Sequence, residues 1–207
     1  MRPSFVSFAR FWTRASPTVR GWLRAPDAYL LYQLARGGPA SGQIVEIGSA
    51  WGRSTIALAA GTRAARRERV IAIDPHGGDD WYLAEHDLAG ESSLAEFREN
   101  LRRFGVDQWV DEVVMTSQAA AGVVATEPIR LLFIDGLHTY EGVRSDIEEW
   151  VPRMVEGGVV VFDDYDNHDP GVGVQRAVDE LLASNLVDGH LRKRFNLSWT
   201  YRLRDAG

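Results

Sequence analysis

From residue 44 onward, short apolar runs alternate with amphipathic stretches, and this alternation limits the fold more than any other feature of the chain. Ile44–Gly48, Arg69–Asp74 (RVIAID), Glu112–Thr116, Arg130–Asp135 (RLLFID) and Val159–Asp164 (VVVFDD) read as strands. Ser54–Ala60, Ser92–Phe104, Val143–Val155 and Val172–Leu182 read as helices, the second with Leu94, Phe97, Leu101 and Phe104 spaced by three and four. Gly157–Gly158 is expected to end the third of them. Strand–helix repetition of this kind builds a mostly parallel sheet with helices on both faces. The tail breaks the pattern: Arg192–Phe195 and Trp199–Leu203 flank Asn196–Ser198, which predicts an antiparallel hairpin. The expectation is an α/β fold with a seven-stranded sheet that ends in that hairpin. At 207 residues the chain suits a single domain, read as a helical arm or lid over 1–40 and a core over 41–207.

Residues 1–24 carry Arg2, Arg10, Arg14, Arg20 and Arg24 and no acid, interleaved with Phe5, Phe8, Phe11, Trp12 and Trp22. The arginines interrupt every apolar run, so neither a secretory signal nor a membrane span is expected. Three roles stay open for this segment: a helix packed on the body or on a second subunit, a lid over the site, or a membrane-surface contact. A formal net charge of −6 argues against a general nucleic-acid binder. The chain has no cysteine, which is compatible with a reducing cytoplasm, the expected location. Any metal would then be held by oxygen or imidazole, which favours Mg²⁺ or Mn²⁺.

Ligands of an open α/β sheet bind outside the carboxyl ends of its strands, and those ends hold the chemistry here. In VEIGSAWGRST (Val45–Thr55), Gly48 and Gly52 permit a tight strand-to-helix turn. Glu46, just before that turn, suits a ligand with a cationic part better than a pyrophosphate. Asp74 ends RVIAID, where an acid can accept ribose hydroxyls. His76 follows and either touches a ligand or faces solvent. Asp135 ends one strand and Asp163–Asp164 the next. Adjacent strands lie about 4.8 Å apart, so these carboxylates should crowd and repel. A divalent cation would offset that repulsion; rim acids or helix N-caps are the alternative. His138, three residues after Asp135, is the side chain suited to take a proton near neutral pH. Asp146, Glu148 and Glu149 read as a solvated or salt-bridged helix face. Asp166, His168 and Asp169 either line the entrance or form a polar loop, and Trp81, Tyr82 and Tyr165 are candidate aromatic walls.

Val45–Thr55 is similar to the acid-x-Gly-x-Gly-x-Gly motif of class I S-adenosylmethionine-dependent methyltransferases, with Ala50 at the middle glycine. That departure recurs in the catechol O-methyltransferase-like branch, where a serine follows as Ser54 does. The stretch IDGLHTYEGVRSDIEEWVPRMVEGGVVVFDDY (Ile134–Tyr165) resembles the second half of metal-dependent small-molecule O-methyltransferases. The likeness runs from about Gly42 to Leu182 and is closer to the bacterial branch of sugar and macrolide O-methyltransferases and cephalosporin-biosynthesis methyltransferase-like proteins. It implies a Rossmann-like class I methyltransferase fold and S-adenosylmethionine bound along Glu46, Gly48, Ser49, Ala50, Gly52, Ser54 and Thr55. It further implies ribose on Asp74 and adenine on Ser117 and Gln118, in a loop after the third strand. Mg²⁺, or Mn²⁺, would be held by Asp135, Asp163 and Asp164, with His138 as general base where catechol enzymes have lysine. The implied acceptor is a hydroxyl of a small molecule, a saccharide or glycosylated metabolite, with a catechol or phenol as the alternative. Readings of a different class are a non-catalytic S-adenosylmethionine-binding protein and an NAD-dependent oxidoreductase, though the latter would want a GxGxxG turn. The aromatic arm makes a homodimer the expected assembly.

Overall fold

The computed structural model describes residues 3–38, 41–77, 92–124 and 128–203, with residues 3–7 as backbone. Its elements are α1 (Pro3–Ala15), α2 (Ala25–Gly37), β1 (Gln43–Ile47), α3 (Arg53–Ala65), β2 (Val70–Ile73) and α4 (Leu94–Arg103). There follow β3 (Val110–Val113), α5 (Ser117–Val123), β4 (Ile129–Ile134), α6 (Tyr140–Trp150), β5 (Met154–Phe162), α7 (Val174–Leu182), β6 (Arg192–Arg194) and β7 (Leu197–Tyr201). The seven strands form one sheet in the order β3-β2-β1-β4-β5-β7-β6. β1 to β5 run parallel, and β7 pairs antiparallel with both β5 and β6. This is the expected sheet with its terminal hairpin. Trp81 and Tyr82 lie outside the described residues.

Alternate strand residues feed two separate cores. Ile44, Leu131, Phe133, Val159 and Val161 face α1 to α4, while Val45, Leu132, Ile134, Val160 and Phe162 face α5 to α7. Every residue of β4 is therefore buried, as a strand covered on both faces requires. In α7, Val174, Ala177, Val178 and Leu181 repeat at helical spacing and are all buried. Phe8, Trp12, Ala15 and Val19 of the N-terminal segment are buried in the same cluster as α3. Arg130 is 2% exposed and fastens α2 to the sheet. Its guanidinium donates to the carbonyls of Leu34 (2.9 Å) and Ala35 (2.5 Å) and pairs with Glu68, so it satisfies carbonyls that a helix C-terminus leaves open. No helix among the described residues is long and apolar enough to cross a membrane.

Several boundaries differ from the sequence reading, and in the hairpin the second strand is Leu197–Tyr201 rather than Trp199–Leu203, so Leu197 and Ser198 pair in the sheet instead of forming the turn. The third strand is Val110–Val113 rather than Glu112–Thr116, because Thr116 leaves the ladder to cap α5, accepting from Ala119 N–H at 3.3 Å. Ser117 and Gln118 thus open a helix and do not lie in a loop. The third helix ends at Trp150, not at Gly157–Gly158. Pro152 has no N–H to continue the helical ladder and disfavours it at the residue before, so Val151–Arg153 form a 3₁₀ turn. Met154 then pairs with Ile129 as the start of β5, and the two glycines sit inside that strand, where its register with β4 shifts.

Candidate active site

The parallel registers place the strand tips in one row. Ile47 pairs with Ile73 and with Ile134, and Ile134 pairs with Phe162. The next residues, Gly48, Asp74, Asp135 and Asp163, therefore share one level at the carboxyl edge. Backbone bonds carry the ladder to that level: Gly48 N–H donates to Ile73 O (2.9 Å), Asp135 N–H to Ile47 O (2.8 Å) and Asp163 N–H to Ile134 O (3.2 Å). The strand order reverses direction between β1 and β4, the switch point at which such sheets open a crevice. Gly48, at φ +85°, lies so close to the β4 tip that a Cβ there would stand 1.9 Å from the Asp135 carbonyl oxygen.

Beneath the Gly48–Gly52 turn lies Glu46, fully buried. Its Oε2 accepts from Thr55 Oγ1 at 2.5 Å, while Oε1 has no hydrogen-bond partner, and neither does the buried Ser49 hydroxyl. Burial pushes the Glu46 carboxyl up to about 8, against the lowering influence of the nearby Ser54 and Thr55 hydroxyls. The oxygen left open on this buried carboxyl is available to a ligand at the turn. Arg53 ties this turn to the N-terminal arm by donating to the carbonyls of Leu23 (3.0 Å), Ser16 (2.8 Å) and Val19 (2.5 Å).

Asp74 is engaged by the turn itself. Its Oδ2 accepts from the N–H groups of Ser49 and Ala50, both at 2.8 Å, and Oδ1 accepts from His76 N–H at 2.6 Å. A carboxylate offers about four acceptor positions, so one remains for a hydroxyl unless the turn moves. His76 is 1% exposed at φ +56°, which corrects the solvent-facing alternative: its Nδ1 meets Ser93 Oγ at 2.8 Å and its ring lies 5.0 Å from Phe97. Burial holds its imidazole below the ordinary histidine range.

Asp135, His138 and Asp163 converge so that one ligand atom from each lies within 4.8 Å of the others. His138 Nε2 is 3.6 Å from Asp135 Oδ1 and 3.9 Å from Asp164 Oδ2. Asp164, at φ +54°, is held by Asn167, whose Nδ2 donates to Oδ2 at 3.0 Å. Burial, reinforced by the neighbouring carboxylates, raises both Asp135 and Asp163 above the usual carboxylate range. Carboxylates that resist ionising side by side are hard oxygen donors of the kind Mg²⁺ or Mn²⁺ takes, whereas the imidazole suits those ions less; Asp164, expected as a third ligand, stands beside this group rather than in it.

Asp146 was expected on a solvated face with Glu148 and Glu149, and it is 3% exposed. It shares the inward stripe of α6 with Val143, Ile147 and Trp150, a spacing already present in the sequence. Ser117 Oγ donates to its Oδ1 at 2.5 Å, and Gln118 Nε2 donates to Ser145 Oγ at 3.2 Å. Tyr165 is 7% exposed and donates to Asp179 Oδ1 at 2.5 Å, so it packs against α7 more than it lines a cavity.

A family described as a methyltransferase domain matches residues 45–165. Three solved structures share the fold. Rv0187 from MTB, solved with bound cofactor, is 20% identical at a TM-score of 0.70 and covers 99% of this chain and 92% of that one. The O-methyltransferase TomG from Streptomyces achromogenes, solved in complex with S-adenosylmethionine, is 19% identical at 0.65, covering 99% and 91%. CalS11, a TDP-rhamnose 3'-O-methyltransferase of calicheamicin biosynthesis, is 20% identical at 0.61, covering 99% and 97%. The matches to uncharacterised proteins of Sinorhizobium fredii and of Acanthamoeba polyphaga mimivirus span 15% and 25% of those proteins' lengths.

Proposed function

This chain belongs to the methyltransferase-domain family, and from that premise we propose that it moves a methyl group from S-adenosylmethionine to a hydroxyl of a small acceptor, most simply a saccharide, with Mg²⁺ or Mn²⁺ at the site. The observation that carries this reading is the gathering of Asp135, His138 and Asp163 on the strand-tip row that also holds Gly48 and Asp74, above the open oxygen of Glu46.

S-adenosylmethionine supplies a methyl group already activated on a sulfonium, whose C–S bond breaks as the new C–O bond forms. Asp135, Asp163 and Asp164 would hold a divalent cation, which would supply Lewis-acid stabilisation of charge on the acceptor oxygen. The remaining work belongs to the chain. Glu46 and Ser49 offer buried polar atoms to the amino-acid end of the donor, and Glu46, protonated at neutral pH in the ligand-free chain, favours positive charge in the crevice once it gives up that proton. Asp74 has one acceptor position for a ribose hydroxyl and fixes the turn that shapes the pocket. His138 takes the acceptor's hydroxyl proton at an imidazole nitrogen, and the imidazolium then stands beside Asp135 and Asp164. General base catalysis of this type contributes about 10²–10⁴-fold, and alignment of the two reactants roughly 7–11 kcal/mol.

The choice of a saccharide rests on His138 in the position of the catechol-type lysine and on the sugar-modifying neighbour CalS11. The test is a screen of saccharides and catechols with labelled methyl donor, run with Mg²⁺ and under chelation. Metal-dependent transfer to a sugar hydroxyl is expected, with His138→Ala retaining donor binding and losing turnover. Transfer to catechols alone would replace the acceptor class, and transfer that survives chelation would remove the metal.

A further inference from the structure

We propose that Asp146 fixes the Ser117 hydroxyl as a hydrogen-bond acceptor and so makes the base-binding subsite select a 6-amino purine over a 6-oxo purine. The inference rests on S-adenosylmethionine being the donor, and it assigns a specificity device to a residue that the sequence presents only as a charge on a helix face.

A carboxylate accepts and does not donate. In the Ser117–Asp146 contact, at 2.5 Å, the hydroxyl proton therefore points at Asp146 Oδ1. The Ser117 oxygen is left with lone pairs and no proton to offer a ligand. A free serine rotates its proton to suit either kind of partner; this one does not. Asp146 is 3% exposed, and burial pushes its carboxyl up only to about 6, so it carries its charge at neutral pH with Ser117 as the hydrogen-bonding support. Its helix neighbours Arg144 and Glu148 pair with each other instead, at 2.7 Å.

The pair also stands in the right place. Ser117 opens α5 directly after β3, and Asp146 Oδ2 lies 3.6 Å from where a Cβ on Gly136 would be, one residue past the β4 tip. The pair thus bridges the connections that leave β3 and β4, both at the carboxyl edge. Those connections also leave Val114 42% and Leu137 48% exposed, apolar surface of the kind a planar base covers. An exocyclic amino group would donate to the Ser117 oxygen. A 6-oxo group would bring acceptor against acceptor, and sites built around a polar pairing reject the analogue that breaks it.

The test compares binding of S-adenosylhomocysteine and S-inosylhomocysteine by calorimetry to the wild type and to three variants. The wild type is expected to prefer the adenosyl ligand by about tenfold or more. Ser117→Ala, at a half-buried position, and Asp146→Leu should each bring the preference below about threefold, chiefly by weakening the adenosyl ligand. Asp146→Asn, whose carboxamide oxygen can still accept the serine proton, should keep most of it. A purely structural role for Asp146 would lower both affinities together and leave their ratio intact, which overturns the proposal. So does an unchanged ratio in Ser117→Ala, which decides the matter if Asp146→Leu does not fold. A wild type that binds neither ligand removes the donor assignment itself, whereas wild-type binding without preference removes only the role of Asp146.

Discussion

Replacing Glu46 by glutamine should stabilise the ligand-free protein, and the gain should grow with pH. Glu46 is fully buried, and burial raises its carboxyl from 4.5 to about 8 in the folded chain. Between those values the folded chain holds a proton that the unfolded chain has released, so stability falls as pH rises through this window. Neutral glutamine has no such dependence and can accept the Thr55 hydroxyl proton in the same way. Linkage then sets the wild type below Glu46→Gln by about 1 kcal/mol at pH 5 and about 3 kcal/mol at pH 7. For a chain of this size the second figure corresponds to roughly 6–12 °C in Tm. The assay is urea unfolding of both proteins at pH 5, 6, 7 and 8 under chelation. A gap that stays constant, shrinks with pH or favours the wild type would refute the reasoning. The stabilised variant should also bind S-adenosylmethionine more weakly, since a neutral amide does not favour positive charge; stability and function then part at one residue.

Gly48→Ala combines a positive φ with a Cβ driven into the Asp135 carbonyl; a loss of at least about 2 kcal/mol in denaturant unfolding is expected, and wild-type stability would show that the turn can be rebuilt. Arg130→Met leaves two α2 carbonyls without their donor and Glu68, still paired with Arg67, without its second cation, which should cost about 2 kcal/mol in the same measurement; a loss below about 0.5 kcal/mol would contradict the role given to that side chain. Asp163→Asn removes one of the crowded carboxylates, so it should raise the Tm of the chelated protein while abolishing the rise that Mn²⁺ gives the wild type. An equal Mn²⁺ response in both proteins would take Asp163 out of the metal site.

The fold and the strand-tip row were legible because β2, β4 and β5 each end where an apolar run ends. In RVIAID, RLLFID and VVVFDD that end is marked by an aspartate, and parallel register then sets Asp74, Asp135 and Asp163 level with Gly48 without further information. The β3 boundary was less legible, since Val114 and Met115 are apolar beyond the point where the ladder stops at Val113 and only the cap at Thr116 ends the run. The burial of His76 depends on Ser93 and Phe97, which are distant in sequence and carry no local signal. Asp146 is a different case. Its spacing from Val143 and Trp150 placed it on the inward stripe of α6, but beside Glu148 and Glu149 the acid reads as one more solvated charge. A buried carboxylate becomes recognisable only when its hydrogen-bonding partner, here Ser117 on another helix, is known.

The most direct test of the account is a crystal structure with S-adenosylhomocysteine and Mn²⁺, with the cation located by its anomalous scattering. One anomalous peak within about 2.5 Å of Asp135 and Asp163 oxygens, with the thioether of the product seated beside Gly48, is the predicted result. Manganese bound elsewhere, or those two side chains turned away from each other around an occupied crevice, would contradict it.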